Sequence, residues 1–198
     1  MMFMEILSDI DNIINNIMNN MGAFAPILAC LLILVESMLP ILPLAVFITI
    51  NFYYMGTVTG FLISWVLTCI GCYFSYKLCR TKLKKHFDNM LDKKEHKQLR
   101  RLMRVTNKLK LEQLTLLIAI PFTPAFMVNI AAGLSNMDAK KYLISIIIGK
   151  IFLVYFWGFI GTGLIESIQN PKILIKIAIY LVISFVISKI INRKFKIE

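Results

Sequence analysis

Two charged side chains stand where hydrocarbon should exclude them. Glu36 ends an uncharged apolar run four residues before Pro40, and Lys150 lies inside a later run at Gly149-Lys150-Ile151. A charge at membrane depth is costly unless paired, hydrated or neutralised, so such residues mark pathways and proton sites. Desolvation favours the neutral acid, which makes Glu36 a candidate proton carrier. The alternative is that it sits near an interface or caps a chain break. Lys150 is the natural counter-charge for Glu36 or for a phosphate; the alternative is a side chain that snorkels to headgroups beside Lys140 and Lys141. Asn51 and Asn129 each follow a proline pair, where an amide either holds a polar ligand or satisfies freed backbone groups.

Pro40 and Pro43 interrupt one apolar stretch, and Pro121 and Pro124 interrupt another. Proline removes a backbone donor and clashes with the preceding turn. In hydrocarbon every freed N–H and C=O needs a partner, so a break is tolerated only against protein or a wet cavity. Each break also creates half-helices, and the N-terminus of a half-helix offers free N–H groups and positive potential to a phosphate. Gly133, with Gly149, Gly161 and Gly163, reads as a close-packing position.

The surrounding composition sets the class. Of 198 residues, 58% are hydrophobic, and the mean hydropathy is +0.73. Several runs reach the ~20 residues needed to cross a bilayer. The expected class is an all-α polytopic membrane protein of a single domain, 1–198. The net charge of +11 does not point to nucleic acid, because of where it lies. Twelve Lys and Arg fall between Arg80 and Lys110, and most others sit at membrane edges. That is the pattern of the positive-inside rule, and it would attract anionic headgroups. Residues 1–21 carry Glu5, Asp9 and Asp11 without Lys or Arg, unlike a cleavable signal peptide. Cys69 and Cys72 form a CxxC inside an apolar run and read as small buried hydrophobes, so no metal site and no cofactor is expected.

Periodicity divides the chain into an amphipathic N-terminal helix (1–21), a first hairpin (22–55) and a span (56–79). A basic helical segment (80–112), a second hairpin (113–137) and two further spans (138–165 and 173–191) follow. If 113–137 crossed fully, the basic loop and the basic C-terminus would face opposite sides. If it dips in and returns, the loop, Lys140-Lys141 and Arg193, Lys194 and Lys196 all face the cytoplasm. The expected architecture is therefore two opposed re-entrant hairpins among about three to four transmembrane helices. A weak internal repeat agrees: Pro40, Pro43, Asn51, Gly56 and Gly71 are echoed by Pro121, Pro124, Asn129, Gly133 and Gly149. Inverted repeats with broken helices at their interface recur among transporters. No phosphate-binding loop, HExxH, GxSxG or paired catalytic carboxylates occur, so an enzyme is not expected.

Glu36-x-x-x-Pro40-x-x-Pro43, together with Ile120-Pro121-x-x-Pro124 and Asn129-Ile130-Ala131-Ala132-Gly133-Leu134-Ser135-x-Met137, resembles the DedA family of VTT-domain, SNARE-associated membrane proteins. Tyr142 and Gly149 extend the resemblance, which covers roughly residues 24–165. It implies two facing re-entrant hairpins and movement of lipid between leaflets of the cell membrane, with phospholipid or undecaprenyl phosphate as substrate; a homo-oligomer is a separate possibility that the sequence leaves open. It also implies a functional role for an acid such as Glu36. The family's Arg before the second proline pair is missing; Ile118 and Ala119 stand nearby. Lys150 or half-helix N–H groups would have to replace it. The function expected is thus a lipid flippase or scramblase, with proton coupling through Glu36 as one form of it; a proton-coupled transporter of small ions or drugs and a non-transporting scaffold are the alternatives.

Overall fold

The computed structural model describes residues 24–39, 43–84, 97–122, 125–135, 137–168 and 170–195. The N-terminal helix expected over 1–21, the prolines Pro40 and Pro124, and residues 85–96 of the basic segment lie outside the described residues. Helices form all of the regular structure described: α1 Phe24–Met38, α2 Leu44–Leu78, α3 Lys97–Lys108, α4 Leu111–Ala119, α5 Ala125–Leu134, α6 Ala139–Ser167 and α7 Lys172–Phe195. A π-helical turn, Cys79–Leu83, extends the end of α2.

Local chemistry places several of these boundaries. Pro43 precedes α2 in an extended conformation, as a residue without an N–H to give should. At the second break Ile120 is extended, at φ −82° and ψ 126°, the conformation that a following proline imposes. Phe122 then takes φ 67°, rare for a bulky side chain and a mark of strain held by its surroundings. Its ring packs edge-on against Trp157 and Phe185. Asp138 caps α6, its carboxylate accepting from the Lys141 N–H at 3.0 Å.

α2 is two arms. Gly56 sits at φ 78° and ψ 164°, which glycine adopts without a Cβ penalty. The chain folds back there, so that the Asn51 Nδ2 donates to the Ser64 Oγ at 3.0 Å. In a straight helix those residues would be about 20 Å apart. The helix resumes directly after Gly56, and residues 57–78 form an arm about 33 Å long.

Three helical stretches are long and apolar enough to cross a membrane: Leu44–Lys82, Ala139–Ser167 and Lys172–Arg193. The helices that flank the proline breaks are different. α1 has 15 residues, α4 has 9 and α5 has 10. At 1.5 Å per residue these are about 22, 14 and 15 Å long, against a hydrocarbon core of ~30 Å.

The second arm of α2 and α6 run antiparallel. The Trp65 Nε1 donates to the Ile147 carbonyl at 2.9 Å near one end, and the Tyr76 hydroxyl to the Met137 carbonyl at 3.1 Å near the other. Each of these helices carries a short helix at its side. A Cβ on Gly71 would lie 2.6 Å from the Ser37 Cβ and 3.0 Å from the Leu34 carbonyl oxygen of α1. A Cβ on Gly149 would lie 3.0 Å from the Ile118 Cβ and 3.0 Å from the Thr115 carbonyl oxygen of α4. Backbones that approach so closely need glycine, and such small-residue contacts are how helices associate without a hydrophobic drive in lipid.

Two buried clusters result. One joins Ile33, Ile48, Phe52 and Val154; the other joins Tyr76, Leu114, Leu117, Val128, Tyr142 and Ile146. The basic segment contributes to the second, because Leu109 is buried in it and Val105 packs against it. α7 has the most open surface, with Ile175, Val182 and Phe185 all more than half exposed.

Candidate functional site

The end of α1, the middle of α2's second arm and the middle of α6 meet at one level. Glu36 ends α1 half-buried. The next residue, Ser37, is buried, and its hydroxyl has no hydrogen-bond partner among the described residues. Its carbonyl accepts a long contact from the Cys72 thiol at 3.9 Å, a weak interaction that mainly records proximity. Opposite, Lys150 projects from α6 and is only 3% exposed. Glu36 and Cys69 both lie within electrostatic range of it. The two charges singled out from the sequence, 114 residues apart in the chain, thus lie within electrostatic range of each other.

A buried lysine is uncommon without a partner. Here glycine explains the position of the lysine. Gly149 seats α6 against α4, which fixes the rotation of the helix and turns the next residue inward. The Cys69 thiol reaches the Ile146 carbonyl at 3.8 Å, one turn before Lys150. In the same way Gly71 seats α2 on α1, against Leu34 and against Ser37, the residue next to Glu36.

The two asparagines are placed differently from the charges. Asn51 is fully buried and bridges the two arms of α2 through Ser64, with the Cys30 sulfur 3.6 Å from its Nδ2. Asn129 is also buried; its Oδ1 accepts from the Tyr142 hydroxyl at 2.7 Å. That hydroxyl also lies 3.3 Å from the Cys72 carbonyl, so Asn129 is tied through Tyr142 to the residue beside Ser37. Both amides act on helix packing, the first around the Gly56 reversal and the second between α5 and α6. Pro43 is exposed and Pro121 is buried. Gly133 admits the end of α2, since a Cβ there would meet the Tyr76 carbonyl oxygen at 2.6 Å.

Some contributors carried no sign in the sequence of what they would touch. Tyr142 and Tyr76 stack with ring centroids 4.4 Å apart, and both are buried. Arg80 donates to the Tyr76 hydroxyl and to the Met137 carbonyl, placing a cation on the connection between α5 and α6. Aromatic residues in an apolar run read equally as interface anchors or as packing, and only the fold separates the two. Among the described residues no group of three or more His, Cys, Asp or Glu could hold a metal ion, and all four cysteines are free thiols.

The arrangement can therefore offer a carboxylate, an ammonium and a free hydroxyl to a polar group inside an apolar bundle. The VTT domain matches residues 39–163, a stretch holding both proline pairs, Asn51, Asn129, Gly133 and Lys150. An uncharacterized membrane protein, YhjE, of Bacillus subtilis (strain 168) is 30% identical over 169 residues, which cover 85% of this chain and 81% of the relative. No solved structure matches. The chain belongs to the VTT-domain, or DedA, family of membrane proteins.

Proposed function

We propose that this protein moves the phosphate-bearing headgroup of a lipid between the leaflets of the cell membrane, using Glu36 and Lys150 as the polar step. The observation that carries this reading is the convergence of those two charges, with Lys150 almost fully buried. Lys150 gives a headgroup phosphate its counter-charge in place of the family arginine. Glu36 neutralises Lys150 between cycles, or takes a proton when a phosphate displaces it. The lipid is moved and not altered, and its acyl chains stay outside the polar step, so no covalent step and no cofactor is needed. Phospholipid or undecaprenyl phosphate is the substrate class.

The same reading makes the proline breaks re-entrant. Helices of about 14 to 22 Å cannot cross ~30 Å of hydrocarbon, so α1 with the first arm of α2, and α4 with α5, would each enter and return. Two features support an inverted repeat. Leu34, Ser37, Pro40 and Pro43 stand 81 residues before Thr115, Ile118, Pro121 and Pro124 respectively. Gly71 and Gly149 then fit those equivalent positions in the same way, on antiparallel spans. The positive-inside rule would put the basic 80–112 segment and the C-terminus in the cytoplasm, where anionic headgroups would gather on that segment.

Liposomes holding a fluorescent phospholipid that an external reagent can quench test the reading. Wild type should expose the inner-leaflet pool, and Glu36→Gln should not. If wild type moves lipid no faster than empty vesicles, the reading is wrong. Uptake of a small ion or drug under a pH gradient without lipid movement would favour a proton-coupled transporter instead. Loss of function on neutralising the basic segment, with Glu36→Gln silent, would favour a scaffold.

A further inference from the structure

A lateral groove of about 430 Å³ runs along the surface where the second arm of α2 meets α6. Trp65, Cys69, Tyr73 and Lys77 form one wall; Leu143 and Ile147 form the other. The four α2 residues are spaced four apart and so make one stripe along the helix. From Trp65 to Lys77 that stripe is about 18 Å long. Half of a ~30 Å hydrocarbon core is about 15 Å, so the groove has the depth of one leaflet. Its inner end is held rigid, because the Trp65 indole donates to the Ile147 carbonyl. Its outer end is the exposed Lys77, with the exposed Arg80 and Lys82 just beyond.

These features select an occupant. The walls are apolar and open sideways to lipid, which suits a hydrocarbon chain and nothing hydrated. The cation at the outer end suits an anionic headgroup, and a basic residue near a membrane surface favours such lipid by ~1 kcal/mol. The groove also comes near Lys150: Cys69 lines it and lies within electrostatic range of that lysine.

We infer that this groove holds one acyl chain of an anionic phospholipid, with its phosphate at Lys77, as the waiting position next to the Glu36–Lys150 pair. Binding in the groove stands by itself; the waiting role rests on the translocase reading.

The test uses the full chain in nanodiscs of phosphatidylcholine containing a minor share of phosphatidylglycerol, either lipid carrying a photoreactive group at the end of one acyl chain. Crosslinked peptides are then mapped by mass spectrometry. Phosphatidylglycerol should label the Trp65–Ile70 stretch and Ile147 well above the lipid-facing surface of α7. Its advantage over phosphatidylcholine should be about fivefold, and Lys77→Gln should erase that advantage. Leu143→Trp, at a partly exposed position that can accept bulk, should fill the groove and remove the labelling. Glu36→Gln should leave the labelling intact while stopping lipid movement. Even labelling over all lipid-facing helices of wild type, or equal labelling by the two lipids, overturns the inference whatever the variants do. Groove labelling without any lipid movement by wild type would keep the bound lipid and defeat the translocase reading.

Discussion

The two proline breaks share a scaffold and differ in chemistry. In both, a short helix ends in a proline pair and lies against the glycine of a long span: α1 against Gly71, α4 against Gly149. The side chains that these equivalent frames display are not equivalent. Glu36 in the first half corresponds to Leu117 in the second, and Ser37 to Ile118. On the spans the asymmetry is reversed, with Cys72 after Gly71 and Lys150 after Gly149. Each half thus supplies one charge, from a different element. On the proposed repeat, the acid and the base are the positions at which the two halves differ. A symmetric pair of acids or of lysines would repel at this depth, where the local dielectric is low.

That comparison orders the expected effects. The largest is on transport. Lys150→Gln should lower the rate of lipid movement at least tenfold, equivalent to about 1.4 kcal/mol in barrier, as measured with quenchable lipid in liposomes. Retained transport would mean that the buried ammonium serves packing alone. Next is stability: Gly71→Leu and Gly149→Leu should each cost about 1–3 kcal/mol through overpacking, and by similar amounts, in thermal unfolding of detergent-solubilised protein. A large difference between the two would break the equivalence of the halves.

Smaller effects separate the asparagines from the charges. Ser64→Ala leaves the Asn51 Nδ2 without its strongest acceptor in a buried site, and should cost about 1–3 kcal/mol. Its effect on lipid movement should not exceed what the lost stability explains. A specific transport defect at full stability would move Asn51 into the polar step. The smallest effect is expected at the position that mirrors Glu36. Leu117→Met conserves volume and should cost under ~1.5 kcal/mol, with transport unchanged; a loss like that of Glu36→Gln would show that both halves contribute to the polar step.

The residues that announced themselves in the sequence were those whose types contradict their surroundings. Glu36 and Lys150 are charges in apolar runs, and four prolines interrupt stretches of spanning composition. Gly56 marked a turn, and the structure shows one there, although the helix restarts immediately after it. What stayed hidden depends on which helix faces which. Asn129 could have faced a ligand or the backbone; its partner is the hydroxyl of Tyr142, set by the packing of α5 on α6. Ser37 drew no attention because serine is common in membrane helices, and its unpartnered hydroxyl is visible only once Gly71 is seen against it. Leu109 shares an apolar face with Leu99 and Leu102 in the sequence of the basic segment, and the structure shows what it faces: the core beside Leu114. Periodicity can assign a face to a helix but not the neighbour of that face.

The central claim is that Glu36 and Lys150 act as one unit, and charge exchange tests it most directly. Lipid movement would be measured for Glu36→Lys, for Lys150→Glu and for the double variant, with stability followed in parallel. Each single change places like charges together and should abolish transport, while the double variant should recover a substantial part of it, the signature of direct coupling. A double variant no better than the worse single one, in protein that is folded and reconstituted equally well, would contradict the account.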